Sequence, residues 1–269
     1  MHFNDTANNV LQSARDGHVL VLRIHRPEAR NAINLEVAMA LGDALDSADR
    51  DPDVRVIIIT GAGDKAFCAG ADLKSVAARQ PVIPKDERRK AWGFAGVVSH
   101  PISKPLIAAV NGFAMGGGTE IVLACDLAVA SDTATFGLPE VKRGLLAAAG
   151  GAFRLVQQVP HKIAMEILLT GDPVSADQAF NFGLVNAVVP ANALMDSAMD
   201  LARRVAVNAP LSVQSSKRVA RTLRDGRSEA DEAHWHRNEA EAEAVFSSED
   251  AMEGAQAFAE KRPPVWRAR

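Results

Sequence analysis

The stretch Pro105-Leu-Ile-Ala-Ala-Val-Asn-Gly-Phe-Ala-Met-Gly-Gly-Gly-Thr-Glu-Ile-Val-Leu-Ala-Cys-Asp-Leu127 constrains this chain more than any other. Its apolar run from Leu106 to Val110 predicts a buried strand. Asn111-Gly112 then turns the chain, because both residues tolerate left-handed backbone. Gly116, Gly117 and Gly118 precede a helix-like run from Thr119 to Ala124. A strand, a glycine knot and a helix start leave backbone N–H groups pointing at whatever lies above them. Glu120 follows the knot, ahead of Ile121, Val122 and Leu123. A carboxylate among aliphatic side chains is costly to ionise, so its pKa rises toward the range that serves acid–base chemistry.

Three readings of this stretch compete. In the plainest, the glycines permit close packing and Glu120 is a solvated first-turn acid favoured by the helix dipole. In the second, Gly112, Gly117 and Thr119 have the spacing of a phosphate-binding Walker loop, but Gly118 stands where that loop needs lysine. In the third, the knot is an oxyanion site with an acid beside it. The rest of the chain has to decide.

Length and composition suit an ordinary globular chain. The 269 residues fit one large domain or a core with a small appendage. A formal net charge of −3 carries no bias toward nucleic acid or membrane surfaces. Cys68 and Cys125 sit among small apolar residues and read as packing residues rather than a disulfide. No apolar run approaches membrane-spanning length, and the first residues lack the pattern of a signal peptide, so a cytoplasmic location is expected. The 7 histidines show no paired-ligand spacing, and no metal site is read from them.

In chain order, residues 10 to 25 predict two strands about Asp16-Gly17. Asn34 is placed to cap a helix from Leu35 to Ala48, and Asp53 to Thr60 is a second buried strand. Gly61-Ala-Gly-Asp-Lys-Ala66 formally matches a dinucleotide-binding pattern. Phe67-Cys-Ala-Gly-Ala-Asp-Leu73 interrupts where the apolar helix should follow, so a glycine turn is the better reading. That interruption repeats the logic of the central stretch, with small residues around Gly70 and then Asp72 at a possible helix start. Strands entering from 54 and 105 could lie side by side and face their turns into one pocket. The N–H groups of Ala71 and Gly117 would then converge, as a thioester oxygen requires when it becomes an enolate. Beyond residue 152, apolar stripes predict helices, with a returning strand from Leu184 to Val189 and Ser248 capping a final helix.

Ala66-Phe-Cys-Ala-Gly-Ala-Asp-Leu73 and Ile107 to Leu127 resemble the two signature blocks of the crotonase family, the enoyl-CoA hydratase/isomerase superfamily. The resemblance runs from Arg26-Pro-Glu-Ala-Arg-Asn-Ala32 to Phe258-Ala-Glu-Lys-Arg262, nearly the whole chain. It implies an α/β fold, a crotonase-like spiral of ββα turns with a C-terminal helical region. The expected division is a core over 1–195 and a helical trimerisation region over 196–269, in homotrimers or hexamers built from two trimers. By position, Ala71 and Gly117 match the family's oxyanion-hole residues and Glu120 its first catalytic acid. Glu140 follows Pro139 at a helix start and matches the second catalytic glutamate, where hydratases carry it.

The resemblance also implies an acyl-CoA substrate, with coenzyme A as part of the substrate and no separate cofactor. Ala29, Arg30, Lys65, Ala69, Gly70, Asp72, Leu73, Phe258 and Lys261 fall at positions expected to meet the coenzyme or substrate. Two departures stand out. Glu28 occupies a place where many relatives have a lysine, and Gly144-Leu-Leu-Ala-Ala-Ala-Gly-Gly151 lacks the proline that often precedes the active-site glycine loop. The segment Lys74 to Gly96, with Trp92 and Phe94, is expected to line the acyl pocket. Hydration of a 2-enoyl-CoA is the reading that uses both acids. Isomerisation, dehydration of hydroxyacyl or carnitinyl-CoA, and non-catalytic acyl-CoA binding remain as alternatives.

Overall fold

A computed structural model describes residues 2–5, 9–78, 80–224 and 227–269. Position 79, inside the segment expected to line the acyl pocket, lies outside the described residues. The chain opens with β1 (Asn4–Asp5) and the hairpin of β2 (Leu11–Asp16) and β3 (Val19–Ile24). In α1 (Leu35–Arg50) the Asn34 side chain accepts a hydrogen bond from the Val37 N–H, as its cap position predicts. There follow β4 (Val56–Gly61), β5 (Ala66–Cys68), α2 (Leu73–Ala77) and α3 (Glu87–Lys90). The same succession returns in β6 (Leu106–Val110), β7 (Phe113–Met115) and α4 (Gly117–Ala124). It returns again in β8 (Leu127–Ser131), β9 (Thr135–Gly137) and a short 3-10 helix, Pro139–Arg143. Next come α5 (Gly151–Gln158), α6 (His161–Thr170), β10 (Val174–Ser175), α7 (Ala176–Asn181) and β11 (Ala187–Val189). The remainder is α8 (Leu194–Ala206), α9 (Pro210–Ala220), the small hairpin β12 (Leu223–Arg224) and β13 (Arg227–Ser228), α10 (Glu232–Phe246) and α11 (Glu249–Glu260).

Each strand–strand–helix turn gives one strand to each of two sheets. The large sheet has the order β1-β2-β3-β4-β6-β8-β11, and the small one the order β10-β9-β7-β5. From β3 onward every neighbour in the large sheet is parallel, and β4 aligns Ile58 with Ile107 of β6. This is the spiral of ββα turns that the resemblance implies. It explains why β4 and β6 read as unbroken apolar runs: all their residues are buried, because both faces of the sheet are covered. One face packs on α1, α4 and α5 through Ile57, Ile59, Ala108 and Val110. The other packs on α8 through Val56, Ile58, Ile107 and Ala109 against Ala198, Met199 and Ala202. The division expected at 195/196 falls inside α8, whose buried stripe belongs to the sheet.

The C-terminal helices fold back over the same chain. α11 packs on the Pro139–Arg143 helix, and Phe258 stacks under the Arg143 guanidinium at 4.3 Å. Ser248 caps α11 by accepting from the Ala251 N–H, as expected. Trp92 departs from its expected place on the pocket wall. It is buried against α1 and stacks on His100 at 4.4 Å, in room left by Gly42, where a Cβ would sit 2.6 Å from the indole.

Candidate active site

The glycine knot is shaped by what presses on it. A Cβ on Gly118 would overlap the carbonyl oxygen of Cys68 at the end of β5, and one on Gly117 would overlap the Phe94 ring. The position that a Walker loop fills with lysine therefore has no room for a side chain. Close approach brings the turn after β5 against the turn after β7: a Cβ on Gly70 would lie 3.1 Å from the Gly117 nitrogen. Ala71 forms a parallel bridge with Ile33, in which Ile33 donates to Gly70 and Asp72 donates to Ile33, both at 2.8 Å. That pattern turns the Ala71 N–H away from the bridge. Among the described residues neither the Ala71 N–H nor the Gly117 N–H meets an acceptor, and both residues line one cavity of about 1820 Å³.

Glu120 and Glu140 line the same cavity. The two segments that carry them are tied together by backbone and hydroxyl hydrogen bonds. Gly116 donates to the Gly137 carbonyl at 2.9 Å, and the Gly137 N–H donates to the Thr119 hydroxyl at 3.1 Å. Thr119 in turn bonds the Ala114 carbonyl at 2.7 Å. Glu140 also packs on Gly116, where a Cβ would stand 2.9 Å from its Oε1.

Both carboxyls are held away from water. Glu120 is 4% exposed, and its Oε1 accepts from the Gly151 N–H at 2.9 Å, at the start of α5. Burial first, and the Glu140 carboxylate second, push Glu120 up to about 8. The N–H groups of Gly151 and Ala149 and the charge of Arg154 pull the other way. Burial pushes Glu140 up to about 7, and its Oε2 is buried with no hydrogen-bond partner among the described residues. The Glu140 charge disfavours ionisation of Glu120, so the arrangement favours one carboxylate and one carboxylic acid near neutral pH. Facing two unpaired amide donors, they can hold and deprotonate a water, deliver a proton, and accommodate a carbonyl oxygen that gains charge.

The remaining expected residues divide between wall and frame. Ala69, Gly70, Leu73 and Phe258 line the cavity with the four residues above. Asp72 is buried instead as the cap of α2, accepting from Lys74 and Ser75 and pairing with Arg26 at 2.9 Å. Ala29 and Arg30 lie on the turn that ties to the wall through the Arg30 carbonyl, which accepts from Ala69 at 3.1 Å. Lys65 and Lys261 are exposed and outside the cavity wall, Lys261 at the left-handed end of α11. Within the segment 74–96, Val82, Ile83 and Phe94 contribute to the wall.

Two residues escaped the sequence reading. Thr119 reads as the tail of a glycine motif, yet it cross-ties the two acid-bearing segments. Arg154 falls in a helix predicted only from its apolar stripe and is not singled out there, but it is 5% exposed and lines the cavity. The signal that could have found it is its place four residues after Gly150, on the face of α5 that also carries Gly151 and Leu155 inward.

Comparison with known proteins agrees with this geometry. The enoyl-CoA hydratase/isomerase family profile matches residues 14–269. The carnitinyl-CoA dehydratase of Salmonella arizonae is 42% identical over 261 residues, covering 96% of this chain and 98% of that one. Among solved structures, carnitinyl-CoA hydratase from Mycobacterium avium superposes with a TM-score of 0.94 at 53% identity, over 97% of this chain and 99% of that one. Enoyl-CoA hydratase from Mycobacterium tuberculosis H37Rv superposes with a TM-score of 0.74 at 40% identity, over 97% and 99%. With two sheets wound from repeated turns, a pair of buried acids on one wall and relatives of this similarity along almost all its length, the chain belongs to the enoyl-CoA hydratase/isomerase family.

Proposed function

We propose that this protein is a hydro-lyase that adds water across the 2,3 double bond of an enoyl-CoA thioester, or removes it in the reverse direction. The observation that carries this reading is the pair of buried carboxyls, Glu120 and Glu140, both raised toward neutral pH on one cavity wall. In the forward direction the water oxygen bonds to C3 and the electron pair of the double bond shifts toward C2 and the thioester carbonyl. One carboxylate takes a proton from the water, and a carboxyl group of the pair delivers a proton to C2. The N–H groups of Ala71 and Gly117 serve as the oxyanion hole for the enolate oxygen. Removing one such donor costs about 2.7–4 kcal/mol of transition-state stabilisation.

The coenzyme is assigned to the rim beside the turn after β5. Ala69, Gly70 and Leu73 flank the thioester end, while Arg30, Lys65 and Lys261 offer charge to the phosphates and Phe258 an aromatic face to the adenine side. Ala29 and Asp72 shape that rim from behind.

The acyl group follows the relatives. The chain superposes with a TM-score of 0.94 on a carnitinyl-CoA hydratase and of 0.74 on an enoyl-CoA hydratase. The 53% identity to that carnitinyl-CoA hydratase, against 40% to the enoyl-CoA hydratase, favours a crotonobetainyl thioester, with its cationic trimethylammonium end, over an uncharged enoyl chain within the same reaction. Incubation in ¹⁸O-labelled water with crotonyl-CoA and with crotonobetainyl-CoA tests both levels. Labelled 3-hydroxyacyl-CoA from either substrate is the expected result, with the higher kcat/KM for crotonobetainyl-CoA. Rapid conversion of a 3-enoyl-CoA with no label taken up from either 2-enoyl substrate would overturn the hydro-lyase reading.

A further inference from the structure

Arg154 is buried without a full set of partners. Its Nε and Nη1 meet no acceptor among the described residues. Its nearest carboxylate, Asp231 at the start of α10, stands 3.9 Å from Nη2, longer than a hydrogen bond. Phe153 and Trp235 flank the guanidinium at 5.5 and 5.3 Å, and its Nε and Nη1 are buried from solvent. In such surroundings a charge acts over several ångströms with little screening. The same loop touches both charged groups: Gly151 donates to Glu120, while a Cβ on Gly150 would sit 3.1 Å from Arg154 Nη1.

The other charges facing this region leave Arg154 in that role. Around Glu120, the Pro139–Arg143 helix contributes Glu140 and α5 contributes Arg154. Around Arg154 stand Asp231, Arg221 and Cys125, whose thiol burial pushes up to about 12. Arg221 and Lys217 both rest on Asp126, at 3.0 and 2.7 Å. Arg143 also lines the cavity but lies over the Phe258 ring at 4.3 Å, so Arg154 is the cation acting on Glu120 that has no carboxylate hydrogen-bonded to it.

We propose that Arg154 is a positioning residue for the acid pair, the fixed counter-charge that lets one of the two buried carboxyls ionise near neutral pH. This rests on the reading of Glu120 and Glu140 as the working pair. Without the guanidinium, the pair keeps both protons to higher pH, and less of it is available as a base near neutral pH. Burial draws Arg154 down to about 10, which leaves it charged where the pair titrates. Neighbouring Asp231 sets how much of that charge the pair feels.

The test reads protonation directly, so that it stands apart from activity. The infrared band of protonated carboxyl groups is titrated in the full-length protein, with Glu120→Gln used to assign the pair's contribution. Arg154→Met is expected to raise the midpoint of the first carboxyl ionisation by about one pH unit. The acid limb of the kcat/KM profile moves with it, a roughly tenfold loss on that limb that is regained at alkaline pH. Arg154→Lys restores the parental midpoint. Asp231→Asn moves it the opposite way, because the guanidinium is then shared with no carboxylate. A uniform loss of activity with an unshifted midpoint in Arg154→Met overturns the proposal. If Arg154→Met does not fold, an unshifted or raised midpoint in Asp231→Asn overturns it instead. A parent protein without hydratase activity that still shows these midpoint shifts would sink the proposed reaction and leave the role of Arg154 standing.

Discussion

Glu120 occupies a place that favours its proton over its charge, and that preference has a cost in stability. Its ordinary value of 4.5 is raised to about 8 in the fold. A carboxyl raised in this way binds its proton more tightly when folded than when unfolded, so its stabilising contribution is full below 4.5 and is lost as pH rises through 8. Glutamine matches the shape, keeps an acceptor for the Gly151 N–H and does not titrate. Glu120→Gln should therefore melt close to the parent at pH 5 and several degrees above it at pH 9, each kcal/mol being worth about 2–4 °C in a chain of this size. The same variant should lose at least ~100-fold in turnover, as should Glu140→Gln, because positioned acid–base groups contribute 10²–10⁴. Differential scanning at the two pH values and hydration rates measure both effects. A Glu120→Gln protein that hydrates at the parental rate, or melts lower than the parent at pH 9, would contradict this account of the residue.

At the scale of elements, what was legible depended on how local its cause is. Asn34 and Ser248 announce their helices because a cap acts within three residues. The strands near 56 and 106 announce themselves because a sheet covered on both faces needs continuous apolar runs. Only part of the small sheet was legible: Thr135-Phe-Gly137 reads as a short strand and is β9, but β5 and β7 are three residues each, too short for alternation to register. Trp92 was misplaced for a related reason, since only the packing of its segment on Gly42 of α1 draws it inward. Glu120 was read from the glycine knot and Glu140 only through the family resemblance, while Thr119 and Arg154 take their meaning from segments distant in sequence. One element contact bears directly on the site. A Cβ on Gly254 of α11 would overlap the backbone carbonyl of Arg143, and one on Gly144 would overlap that of Asp250. Backbone cannot move aside as a side-chain tip can, so Gly254→Ala should push the Pro139–Arg143 helix off α11 and shift Glu140. A displacement of about 1 Å at a reacting group can cost ~100-fold in rate. Hydration is expected to fall at least tenfold in Gly254→Ala and to stay at the parental level in Met252→Ala, whose side chain on the same helix is 64% exposed. Equal rates in the two variants would mean that α11 merely covers the site.

The whole molecule raises the question of what its C-terminal half faces. α10 and α11 turn inward over their own cavity, whereas α9 buries no apolar residue and reaches inward through Lys217, which pairs with Asp126. Leu211 and Val219 on it are 76% and 79% exposed, and Val207 just before it is 79% exposed. Exposed aliphatic surface of this kind marks an association site when it is gathered on one element. Each Å² of it withdrawn from water contributes about 25 cal/mol toward assembly. The trimer expected from the family resemblance would make further copies of this chain the occupant. The helical region would then divide its work, with α10 and α11 completing the site and α9 joining subunits. Light scattering is expected to give about 86 kDa, three times the chain's 28.6 kDa, or twice that value if trimers pair. Replacing Leu211 and Val219 together by aspartate places two charges where another chain would cover them, and burying an unpaired charge costs several kcal/mol. The double variant should therefore run near 28.6 kDa while keeping the helical circular dichroism of the parent. A parent protein that already runs at that single-chain mass would leave α9 as an ordinary solvated helix. A double variant that keeps the parental mass would move the subunit contact elsewhere on the molecule.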